Sequence, residues 1–117
     1  MNIEELREYC LSKKGVTECF PFDETTLVFK VLGKIFLLTD LTGDFAVNIK
    51  CDPERAIELR ERHTCVVPGY HMNKSCWNTV SIDGSVSDSE LYEWIDHSYN
   101  EVVKKMTKKQ KGELFSM

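Results

Sequence analysis

Nowhere do the 117 residues run for the ~20 apolar positions that a bilayer-crossing helix requires. The opening Met1-Asn2-Ile3-Glu4-Glu5 is polar and acidic, without the basic-then-apolar character of an export signal. Both absences lead to the expectation of a soluble, cytoplasmic protein with no membrane partner. Cysteine is present five times (Cys10, Cys19, Cys51, Cys65, Cys76), but the number is odd and no pair has the Cys-x-x-Cys spacing. Reduced, structural thiols are expected rather than a disulfide framework. The six glycines are dispersed, so neither Gly-x-Gly-x-x-Gly nor a Walker A loop exists, and P-loop hydrolysis and Rossmann redox chemistry are excluded. Positive charge is in deficit as well: 15 Lys and Arg stand against 19 Asp and Glu, a net −4. Non-specific nucleic-acid binding rests on phosphate neutralisation, so any such role needs a local concentration of cations.

What is there suits one compact domain over residues 1–117. Hydrophobic residues make up 42% and charged residues 29% of the chain, a globular balance that needs no metal or disulfide staple at this length. The ordered core is expected over about residues 3–106, followed by a lysine-rich tail, 107–117, that frays. Residues 101–117 carry five lysines against two glutamates, leaving the first hundred with ten basic and seventeen acidic residues.

The pattern begins with a helix, Asn2 and Glu5 forming a capping box and Ile3, Leu6 and Cys10 sharing a face. Residues 16–23 contain Phe20-Pro21-Phe22 and read as an extended or turning segment rather than a central strand. Residues 25–31, 34–39 and 45–50 follow as strands joined by short turns, an antiparallel meander. Leu27, Phe29 and Val31 alternate on one side of the first; Val47 and Ile49 do so in the third. Asp52-Pro53 starts a helix to about Arg62. Val66-Val67 is a weaker extended stretch, and Trp77–Ile82 is a strand. The last helix starts with a Ser87/Glu90 capping box and a Val86/Leu91 staple, then runs on Leu91, Trp94, Ile95, Tyr99, Val102 and Met106. The fold class is therefore α+β, an antiparallel sheet with its helices on one face.

Chemistry-bearing residues concentrate in Pro68–Thr79. There Lys74 could supply charge, Trp77 a stacking or packing face, and His71 and Asn73 hydrogen bonds to an anionic or planar ligand. The same residues would equally serve a loop that satisfies its own backbone. His63, Cys65, His71 and Cys76 carry zinc-compatible donors, but their order matches no usual structural-zinc spacing, so no metal and no cofactor is expected. Cys76 beside a histidine could be drawn as a nucleophile, yet no elbow or anion loop accompanies it, and a small buried thiol accounts for it more simply. Glu4, Glu5 and Glu8 read as a solvated helix face. Lys30 and Lys34 flank the Leu32-Gly33 turn. A hairpin tip there would present both amines outward, either to a phosphate backbone or merely to blunt an exposed edge.

Four blocks of the sequence together carry a resemblance. Phe20-Pro21-Phe22, Phe29–Phe36 (FKVLGKIF), Asn48–Pro53 leading into Leu59-Arg60, and Pro68–Lys74 followed by Trp77-Asn78-Thr79-Val80 resemble, in this order, the MmcQ/YjbR family. The likeness spans about residues 3–106. It implies a small bacterial cytosolic protein with a fold similar to the frataxin homologue CyaY. Two hairpin-like projections, a "double wing", would bind DNA, and no catalytic reaction is implied. The resemblance places Lys30 and Lys34 at one wing and Lys74, His71, Asn73 and Trp77 near the other conserved surface. Many family members carry His immediately before the Trp, where this chain has Cys76. The expectation is thus a non-catalytic module. It would contact DNA weakly, salt-sensitively and without sequence preference through Lys30, Lys34, Lys50 and Lys74. The alternative is a small-molecule or protein-binding domain built on the His71–Trp77 loop.

Overall fold

Alternating apolar residues build the sheet of the computed structural model, which describes residues 1–69 and 72–117. Six strands, β1 (Val16–Cys19), β2 (Thr26–Val31), β3 (Lys34–Asp40), β4 (Ala46–Lys50), β5 (Val66–Pro68) and β6 (Trp77–Ser81), pair antiparallel in the order β1-β2-β3-β4-β6-β5. The helices are α1 (Ile3–Leu11), α2 (Pro53–Arg62), α3 (Asp88–Lys104) and α4 (Lys108–Phe115). The expected α+β class holds, with one strand and one helix beyond the expected set.

The strand is β1, an edge strand that ends at Cys19, just before Pro21 removes a ladder donor. The helix is α4, where a fraying tail was expected. The Thr107 side chain accepts from the Gln110 N–H (3.1 Å), Gln110 Oε1 accepts from the Thr107 N–H (3.1 Å), and Leu114 is only 2% exposed. A reciprocal cap and one buried leucine overcome the polar composition of this segment. At α3 only half of the expected box forms: Ser87 Oγ accepts from the Glu90 N–H at 3.3 Å. Around α1 the full box is made.

All four helices contribute to one core on one side of the sheet. Leu6 and Cys10 from α1, Ala56 and Leu59 from α2, Leu91, Trp94, Ile95 and Val102 from α3, and Leu114 from α4 meet Leu27, Phe29, Val31, Val47, Ile49 and Val80. The alternation in β2 and β4 is thus as expected. Val28 and Leu38 are also buried, however, and they point the other way, towards the helix-free face. That face is covered in part by chain connections rather than by helices.

Two details fix the sheet's geometry. The β2–β3 turn uses Leu32 (φ +46°) and Gly33 (φ +81°), a pair of left-handed residues that matches the twist of a two-residue hairpin. On β3, Phe36 falls at a bulge: Leu37 faces Phe29 and Ile35 faces Lys30, so Phe36 has no partner opposite. The bulge lets Phe36 and Leu37, neighbours in sequence, both enter the core.

Candidate functional site

An antiparallel sheet returns the chain to the same end at every second connection. At one end lie the α1–β1 connection with Lys13 and Lys14, the β2–β3 hairpin with Lys30 and Lys34, the end of β4 with Lys50, and the β5–β6 connection with Lys74. Helix α3 finishes there too. Its Ser98 bonds at the level of Phe36 and Lys50, so Lys104 and Lys105 lie beyond them. Helix α4, bearing Lys108, Lys109 and Lys111, crosses this end, for Leu114 sits beside Gly15 and Leu32. All eleven lysines of the chain are accounted for. The opposite end collects Asp23 and Glu24 in the β1–β2 connection, Asp40 and Asp44 around β3–β4, and Asp83 after β6. The first turns of α1 and α3, with Glu4, Glu5, Asp88 and Glu90, lie there as well.

Two lysines at the basic end are engaged. Lys13 pairs with Asp96 and lies 4.9 Å from the Tyr9 ring centroid. Lys104 pairs with Glu101 at 2.7 Å, from Nζ to Oε2. Among the described residues, the other nine form no ion pair. Lys50 feels its neighbours: partial burial and then the adjacent Lys105 ammonium hold its amine below the usual lysine range. Two amines are thus kept close together, and the nearby Glu101, already paired with Lys104, only partly offsets their repulsion, an arrangement that an incoming anion would relieve.

The four expected DNA-contacting lysines therefore share an end, though not a face. Lys30 alternates with Phe29 and Val31 and leaves β2 on the helix-free side, whereas Lys34 stands opposite Val31 and leaves on the helix side. Lys50 belongs to β4 and pairs with Trp77. Lys74 is exposed, and its carbonyl accepts from the Arg60 guanidinium. Arg60 also donates to Asn78 Oδ1 (2.6 Å) and the Trp77 carbonyl (3.2 Å), so α2 pins the start of β6 and the loop before it.

The loop residues separate. Asn73 Oδ1 accepts from the Ser75 N–H (3.0 Å) and hydroxyl (2.8 Å), capping its own turn. Trp77 is 7% exposed, so of the two roles open to it the packing one is realised. His71 lies outside the described residues. The thiols are free; burial pushes Cys10 up to about 12 and Cys51 up to about 11, which removes thiolate at neutral pH. His63 packs edge-on against Trp94, ring centroids 5.1 Å apart. Among the described residues no three His, Cys, Asp or Glu side chains converge as a metal site. Likewise no helix is long and apolar enough to cross a membrane.

A family model described as YjbR matches residues 11–101. The chain belongs to the YjbR family. Among curated YjbR relatives, the uncharacterised protein YjbR of Escherichia coli strain K12 is 38% identical over 104 residues, 88% of either chain. The uncharacterised protein YbdF of Escherichia coli O157:H7 is 35% identical over 107 residues, 91% of this chain and 88% of its own. The crystal structure of the Deinococcus radiodurans protein DR2400 superposes with a TM-score of 0.91 at 44% identity, covering 97% of this chain and 87% of that one. A Pseudomonas syringae protein shares the fold at a TM-score of 0.73 and 24% identity, over 86% of this chain and 98% of its own. The YjbR fold is thereby shown.

Sequence reasoning missed that Lys13, Lys14, Lys104, Lys105 and the α4 lysines join the same end. The signal was present in the first four connections, whose charge changes sign from one turn to the next.

Proposed function

We propose that this YjbR-family protein is a non-catalytic, cytoplasmic binding protein that engages DNA through its phosphates, using the end of the sheet that bears Lys30, Lys34, Lys50 and Lys74. One observation carries the reading: all eleven lysines share that end, and nine of them have no ion-pair partner among the described residues. A net charge of −4 does not oppose it, because fields add locally over a Debye length of about 10 Å, and Asp23, Glu24, Asp40, Asp44 and Asp83 lie at the far end. The site offers amines on two faces of a hairpin and no open aromatic platform at Trp77. It therefore follows a phosphate backbone and reads no base edges.

Anisotropy titration of a labelled mixed-sequence duplex tests this. With about five phosphate contacts, affinity falls on the order of 500-fold between ~50 and ~200 mM salt. Lys30→Ala combined with Lys34→Ala flattens the log–log salt slope by roughly 2. Scrambling the duplex sequence leaves the affinity within about twofold. No binding at low salt, or a slope indifferent to the double substitution, disposes of the reading.

A further inference from the structure

On the helix-free face, Thr26 of β2 stands opposite Asp40 of β3, and Leu38 of β3 stands opposite Asn48 of β4. These four share one side of the pleat. With Phe22 and Asp23 from the β1–β2 connection and with Met72 they line a cavity of about 380 Å³. The volume lies within the range of small-molecule sites. Most of its lining belongs to the acidic end of the molecule, with Met72, two residues before Lys74, reaching it from the other.

Its charge is unusual for a cavity with apolar walls. Asp23 and Asp40 both face it, neither forms an ion pair, and among the described lining residues there is no Lys or Arg. Each carboxylate is fixed by its own connection. Asp23 Oδ1 accepts from the N–H groups of Thr25 (2.9 Å) and Thr26 (2.6 Å), and its Oδ2 from the Thr26 hydroxyl (3.1 Å). Asp40 Oδ1 accepts from the Thr42 N–H (2.9 Å) and hydroxyl (2.7 Å). These bonds hold both carboxyls below the usual range, while the charge of Asp23 opposes that of Asp40. Two fixed negative charges at one opening are poorly placed for each other and well placed for a cation.

The rest of the lining decides what kind of cation. Leu38 is 7% exposed, and Phe22 and Met72 offer an aromatic and a thioether surface. A hydrated metal ion would leave these surfaces unused. Thr26 gives its proton to Asp23, so its lone pairs stay free for an N–H donor. The Asn48 carbonyl oxygen already accepts from the Thr79 hydroxyl at 2.5 Å, which fixes the amide and leaves its NH₂ free.

We propose that this cavity binds a compact organic cation, a protonated amine carried on a short apolar or aromatic body. The ammonium sits between Asp23 and Asp40 with Thr26 as a further acceptor, and the body lies against Leu38, Phe22 and Met72. No lysine is among the described lining residues, and the site does not depend on the DNA reading.

Phenethylammonium is the probe, followed by calorimetry and by amide chemical shifts of Thr26, Leu38 and Asn48. 2-Phenylethanol and phenylacetate serve as neutral and anionic analogues of similar size. Saturable amine binding is expected, with the alcohol about tenfold weaker or worse and the carboxylate silent. Asp40→Asn keeps the turn's acceptor oxygen and so preserves the fold, while amine affinity drops about tenfold. Asp83→Asn is the control. Asp83 accepts from the Ser85 N–H (3.0 Å) and hydroxyl (2.6 Å) in the same manner but does not line the cavity, so its substitution changes nothing. Lys30→Ala with Lys34→Ala is equally neutral here. Equal binding of amine and alcohol, equal loss on Asp83→Asn and Asp40→Asn, or no saturable shift at those three amides overturns the proposal.

Discussion

Ser98 is a fully buried hydroxyl on the face of α3 that otherwise presents Leu91, Trp94, Ile95 and Val102 to the core. The bulge at Phe36 explains it. Strands β3 and β4 pair at Leu37–Ile49 and Leu38–Asn48, and the ladder opens at the next step. Ser98 fills the opening: its hydroxyl donates to the Phe36 carbonyl (2.5 Å) and accepts from the Lys50 N–H (2.8 Å). One side chain satisfies two backbone groups that no strand partner reaches. Ser98→Ala leaves both unpaired in a dry core and is expected to cost about 2–3 kcal/mol, read as a lower urea midpoint at constant slope. A cost under ~0.5 kcal/mol would mean that the two backbone groups find each other or water once the hydroxyl is gone. The contact also sets the height of Lys50 relative to Lys105, so it lies under the lysine-bearing end as well as under the core.

Helix α4 and strand β1 are the two elements that the hydrophobic pattern did not reveal, and each failed for its own reason. The four residues of β1, Val16-Thr17-Glu18-Cys19, are half-buried or exposed, so no face of the strand is clean enough to alternate visibly. In α4, four polar residues (Lys108–Lys111) conceal a Thr107-x-x-Gln110 cap that a search for capping boxes alone would have found. Its anchor, Leu114, is a single apolar position, and a single position has no period. By contrast β2, β3, β4 and α3 were legible because each places at least two apolar residues on one face. The anchor makes a definite prediction. Leu114 Cδ1 lies 2.7 Å from where a Cβ on Gly15 would stand, so helix and β1 start are in close contact. Leu114→Ala should cost about 2–3 kcal/mol and release the amides of α4 to fast hydrogen exchange while those of α3 stay protected. A loss under ~0.5 kcal/mol with unchanged exchange would return the segment to the frayed tail that its composition suggests.

For the molecule as a whole, the separation of charge is a consequence of topology acting on a simple alternation in sequence. Successive connections carry Lys13-Lys14, then Asp23-Glu24, then Lys30 and Lys34, then Asp40 and Asp44, then Lys50. An antiparallel meander sorts such a string into two ends without any long-range pairing. The total, −4, hides both. The candidate lysines could thus be named from the sequence, whereas their convergence required the order of the strands. Concentrating like charge has a cost in stability, and Lys50 records it, since Lys105 helps to hold its amine below the usual range. A lysine end kept for binding should therefore become more stable when it is discharged. Lys105→Gln is expected to raise stability at low ionic strength by roughly 0.3 kcal/mol, the usual size of a partly solvated like-charge contact. The gain should vanish at high salt, where screening already removes the repulsion. The same substitution should weaken duplex binding and flatten its salt slope by about 1. Urea midpoints at two salt concentrations and one anisotropy series read both effects. A variant that is less stable at low salt, or one that binds DNA as tightly as the parent, would show that the clustered amines are placed there for some reason other than a phosphate backbone.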